Sequence, residues 1–68
     1  MTHDASPHRI LRRPAVIERT GLSDTTIWRL YRRGQFPRPI QLSANAVGWR
    51  ESDVDAWLAE RREVRPRG

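Results

Sequence analysis

The sequence predicts a single small domain, mostly α-helical with one β-hairpin, in the order helix, helix, hairpin, helix. Three observations carry this. A glycine turn at Thr20–Gly21–Leu22–Ser23 joins two short amphipathic stretches. Ile40–Gln41–Leu42 and Val47–Gly48–Trp49–Arg50 alternate apolar with polar on either side of Ser43–Ala44–Asn45, which is a hairpin pattern. The stretch from Glu51 to Arg62 opens with acids, closes with arginines and carries Val54, Trp57 and Leu58 at helical spacing.

Residues 1–9 are polar and without periodicity, as expected of a disordered tail. Ile10–Leu11 reads as a short extended lead-in that packs on the core. Pro14 suits the first turn of a helix, where a missing N–H costs nothing, and Gly21 suits its end. Val16, Ile17 and Leu22 would then meet Ile27 and Leu30 of the second helix.

That second helix starts on Ser23, a preferred N-cap residue, and ends at Gly34. Ile27, Leu30 and Tyr31 share its dry face. Thr25, Arg29 and Arg32 share the opposite face, flanked by Thr26, Trp28 and Arg33. Pro37 and Pro39 exclude helix from the next stretch. In the hairpin, Asn45 is the expected left-handed turn residue, and Ile40, Leu42, Val47 and Trp49 are expected to face the helices. Residues 63–68 form a basic tail, leaving 10–62 as the domain. With the hairpin as wing, the arrangement is a small winged helix-turn-helix.

At 68 residues the chain holds one domain at most, with a small core. It has no cysteine, which excludes disulfides and thiolate metal sites. No apolar run approaches the roughly 20 residues that span a bilayer, and the first residues lack a secretory signal. A soluble, cytoplasmic protein with no membrane partner is the expectation.

Net charge is +5, and all 13 basic side chains are arginine. Their distribution matters more than their number. From Thr25 to Arg50 there are five arginines and no acid, whereas Glu51 to Glu63 holds five acids and two arginines. Such segregation predicts one positive surface on a folded body, as a nucleic-acid-binding protein presents.

The second helix is the predicted reader. Arg29 can bond guanine O6 and N7 bidentately, while Thr25 and Thr26 can offer hydroxyls or touch a thymine methyl. Arg32 and Arg33 suit phosphates, and Trp28 can give its indole N–H to a phosphate. In the wing, Ser43 and Asn45 are small and polar enough to lie along a groove, with Arg38 and Arg50 flanking. Asp24 runs against DNA contact and reads as an N-terminal residue that stabilises the helix dipole.

Catalysis is not expected. His3 and His8 have no partner at a spacing suited to a metal or a base–nucleophile pair, and Asp53 and Asp55 diverge on a helix. There is no glycine-rich phosphate loop, and no cofactor or metal is expected.

The stretch from Leu11 to Leu58 resembles the AlpA-type prophage regulators, which share a MerR-like winged fold with small phage excisionases. The resemblance rests on Leu11–Arg12–Arg13–Pro14, Thr20–Gly21–Leu22–Ser23, Thr26–Ile27–Trp28–Arg29–Leu30, Gly34–Gln35–Phe36–Pro37–Arg38–Pro39 and the block from Ala46 to Leu58. It implies sequence-specific binding of double-stranded DNA, with the second helix in the major groove. It also implies a role in transcription of a phage or mobile element, or in excision as a recombination directionality factor. Asp24 and Asn45 stand where the family often has a basic residue, and Trp28 where it usually has tyrosine. Several copies are expected to bind adjacent sites cooperatively. The alternative is a protein-interaction adaptor docking on a tyrosine or serine integrase or on an RNA polymerase subunit.

Overall fold

A computed structural model of the chain describes residues 9–64. The elements are β1 (Ile10–Leu11), α1 (Arg13–Thr20), α2 (Asp24–Arg32), β2 (Ile40–Ser43), β3 (Ala46–Arg50) and α3 (Glu51–Ala59). The three strands form an antiparallel sheet in the order β1-β3-β2, so the architecture is a winged helix-turn-helix. No helix among the described residues is long and apolar enough to cross a membrane. Most of the expected N-terminal tail, with His3 and His8, lies outside the described residues, as do residues 65–68 of the C-terminal tail.

Local signals set the helix ends. Pro14 sits in the first turn of α1, and the Gly21 N–H closes the last turn on the Ile17 carbonyl at 2.8 Å. The Ser23 side chain accepts from the Thr26 N–H and so caps α2. At the other end Gly34, with φ +72°, donates to the Tyr31 carbonyl at 2.9 Å, and Gln35 donates to Leu30 at 2.8 Å. This pair of bonds is a Schellman ending, which needs a left-handed residue at the position of Gly34.

The core lies between the helices and one face of the sheet. Leu11, Val16, Ile27, Phe36, Trp49 and Val54 are its buried members, one or more from nearly every element. Trp49 is at its centre: its indole N–H donates to the Pro37 carbonyl at 3.0 Å, and its ring lies 6.3 Å from Phe36 and 5.6 Å from Trp28. Trp57 donates to the Gln35 carbonyl at 2.8 Å and packs edge-on against Phe36 at 4.8 Å. Two indoles thus hold the proline-containing segment 35–39, one from β3 and one from α3, and that segment delivers the chain into the wing.

Four expectations need correction. Ile10–Leu11 is extended and packs on the core as expected, with Leu11 opposite Trp49, but Arg9, read as tail, belongs to the body, its carbonyl accepting the Glu51 N–H at 2.8 Å. Ile40 and Leu42 do not face the helices. Ile40 pairs with Gly48, and cross-strand partners share a face, so it lies on the side away from Trp49. Leu42 remains 42% exposed and reaches over Gly48.

Asn45 is not left-handed, since no non-glycine residue among those described has positive φ. The tight link Ala44–Asn45 is instead accommodated by a register shift between Gln41 and Ser43. Finally, α3 stops at Ala59 rather than Arg62. Beyond Leu58 the apolar stripe has no further member, and a short helix holds only where packing supports it. Arg61 lies past that end, its guanidinium 4.4 Å from the centre of the Trp57 ring.

Candidate nucleic-acid interface

The Ser23 cap and the burial of Ile27 fix the rotation of α2. The exposed residues of the helix and its C-cap are then Thr25, Arg29, Arg32 and Arg33. None of these arginines has a carboxylate partner among the described residues. Thr26 is half-buried, and its hydroxyl accepts from Ser23 Oγ at 3.0 Å, so it serves the cap first. The Trp28 ring is also half-buried, 5.6 Å from both Tyr31 and Trp49. One residue beyond Ile27, it stands about 100° round the helix, at the border of the two faces. The structure therefore turns it towards the core more than the helical pattern suggested.

Ser43, Ala44 and Asn45 are exposed at the wing turn. The Gln41 side-chain amide donates to the carbonyls of Ser43 and Ala44 and fastens that turn from beneath. Arg38 is exposed at the entrance to the wing. Arg50 is exposed too, but lies 3.8 Å from Asp53 one turn ahead, which offsets part of its charge.

Several charged contacts could not be read from local patterns. Arg19 of α1 forks onto Asp55 and Glu51 of α3, each at 2.8 Å. The hydrogen bonds that Arg19 donates to Asp55 and then Glu51 push its pKa above the ordinary value. Glu51 and Asp55 stand four residues apart on one helix face, and that spacing was the available signal that a cation meets them. Arg13 Nε lies 3.6 Å from Asp24 Oδ1, an enclosed atom with no hydrogen-bond partner among the described residues. Arg12 Nε donates to the Val47 carbonyl of β3 at 3.1 Å. Glu51 and Asp55 are thus engaged by α1 and Asp53 lies beside Arg50, while the exposed arginines of α2 have no carboxylate partner among the described residues.

The family model of the prophage CP4-57 regulatory protein (AlpA) matches residues 9–62, which take in every element described above. The chain belongs to the AlpA family. Among AlpA-related proteins it is similar to DNA-binding transcriptional activator AlpA of Escherichia coli (strain K12), at 37% identity over 65 residues, covering 87% of this chain and 93% of that one. It is also similar to uncharacterized protein ORF88 of Enterobacteria phage P4, at 43% identity over 65 residues, covering 96% of this chain and 74% of that one. The matched span begins at Arg9, whose carbonyl joins the start of α3, so the AlpA-family region coincides with the hydrogen-bonded body.

Proposed function

We propose that this AlpA-family protein binds double-stranded DNA sequence-specifically and regulates transcription of a phage or integrated element. The carrying observation is the exposed face of α2, where Thr25, Arg29, Arg32 and Arg33 stand together without carboxylate partners among the described residues. In this reading α2 enters the major groove. Thr25 and Arg29 read base edges, and Arg32 and Arg33 hold phosphates. The hairpin lies alongside as a wing, with Ser43 and Asn45 against the backbone and Arg38 adding charge. Thr26 contributes by holding the first turn, and Trp28 by setting α2 on the core. The 37% identity to a protein named as a DNA-binding transcriptional activator supports the same reading.

A single module of this size covers about 600–1,000 Å² on DNA, which limits its specificity alone. Copies bound cooperatively at adjacent sites supply the rest. The same contacts serve excision if the bound array bends attachment-site DNA, and a bending assay with such DNA separates that role from promoter control.

Selection from a random duplex library, followed by footprinting, tests the reading. An enriched motif protected at successive sites is expected. A protein-interaction adaptor docking on an integrase or polymerase subunit would enrich no motif, and that result would replace DNA reading.

A further inference from the structure

Between the start of α1 and the wing turn lies a cleft of about 220 Å³, lined by Arg12, Arg13, Pro14, Asn45 and Val47. We propose that it seats a backbone phosphate of the same duplex, held by the Arg12 and Arg13 guanidiniums and the Asn45 side-chain amide. The inference rests on the reading of α2 as the DNA-binding helix and adds a contact distinct from it.

Four features support a phosphate. No carboxylate lines the cleft, and Asp24, 3.6 Å from Arg13, sets one negative charge against the two guanidiniums. Arg12 is held in place through its Nε–H on the Val47 carbonyl, which leaves its terminal nitrogens for a ligand. The first turn of α1 has no acid and no side-chain cap, so its free N–H groups add partial positive charge on that side.

The fourth feature is position. Arg12 bonds strand β3 of the wing, while Arg13 contacts the first residue of α2. The cleft therefore bridges the two elements that flank the duplex in the proposed complex. A phosphate seated there would fix the wing relative to α2. Arg12 and Arg13 also supply beside the wing turn the positive charge that the turn itself lacks.

The test is fluorescence anisotropy of the full chain on a selected duplex, titrated across salt. The wild type is compared with Arg12→Ala/Arg13→Ala, with Asn45→Asp, and with Arg62→Ala as a charge control outside the interface. One lost phosphate contact lowers the salt slope by about 0.9, which corresponds to roughly fivefold weaker binding near 0.15 M salt. The double variant should show this loss equally on selected and unrelated duplexes. Asn45→Asp should weaken binding to both in the same way, and Arg62→Ala should keep the wild-type slope.

If the double variant loses its fold by circular dichroism, the single variant Arg13→Ala decides the matter, because Arg13 is exposed and has no part in the wing contact. A folded variant with the wild-type slope overturns the seat while leaving α2 as reader. A wild type that binds no duplex overturns the DNA reading itself, and the seat with it.

Discussion

Gly48→Ala should destabilise the domain although it adds one methyl group at the middle of a strand. A Cβ at this position would lie 2.6 Å from Ile10 Cγ2, 3.0 Å from the Leu11 carbonyl oxygen and 3.1 Å from Leu42 Cδ1. The Leu42 methyl ends an exposed side chain and can swing away. Ile10 Cγ2 sits on a β-branched carbon with little rotamer freedom, and the Leu11 oxygen belongs to backbone paired with β3. Relief therefore requires β1 to move, and β1 carries buried Leu11 into contact with Trp49. Overpacking of this kind costs about 1–3 kcal/mol. In a domain of this size each kcal/mol lowers Tm by about 4–8 °C, so a drop on the order of 10 °C is expected in a thermal melt followed by circular dichroism. Ile10→Ala in the same background should recover part of the loss, because it removes the closest contact and leaves the carbonyl one. A Gly48→Ala protein that melts with the wild type would show that β1 is not held as described.

Two further outcomes follow from the contacts around α1 and α2. Ser23→Ala removes the α2 cap and should cost about 1 kcal/mol in urea unfolding, with DNA affinity falling only in proportion to the folded fraction. Arg19→Ala should lower Tm more in low salt than in high salt, because the fork to Glu51 and Asp55 is partly exposed and open to screening. The raised Arg19 pKa gives this contact its pH range: the stability it adds is fully present below the ordinary guanidinium range and is lost only above it. Between pH 6 and 9, titration of Arg19 therefore leaves the melting temperature unchanged.

Much of the fold was legible in the chain because its punctuation is local. Ser23, Gly21 and Gly34 act through bonds within one turn of themselves, and the stripes Ile27–Leu30–Tyr31 and Val54–Trp57–Leu58 need only helical spacing. The exposed face of α2 followed from the same periodicity. What stayed hidden depends on partners far along the chain. Pairing of Ile40 with Gly48 decides which face of the sheet Ile40 and Leu42 occupy, and a one-residue change of register reverses that choice. Arg12, Arg13 and Arg19 look alike as exposed arginines at or just before α1, yet one bonds the wing, one meets Asp24 and one forks onto α3. Trp28 sits at a border where spacing alone does not choose between core and solvent. The early end of α3 is of another kind, since Arg61 and Arg62 suit a helix C-terminus in charge while offering the core nothing to bury.

In the proposed complex α2 reads DNA through the face bearing Arg29 and Arg33. Anisotropy titration of Arg29→Ala and Arg33→Ala on selected and unrelated duplexes tests it most directly. Arg29→Ala should lose about 1–3 kcal/mol on the selected duplex and relax base preference, while Arg33→Ala should weaken both duplexes alike and lower the salt slope by about one. Folded variants that bind both duplexes as the wild type does would contradict the assignment of α2.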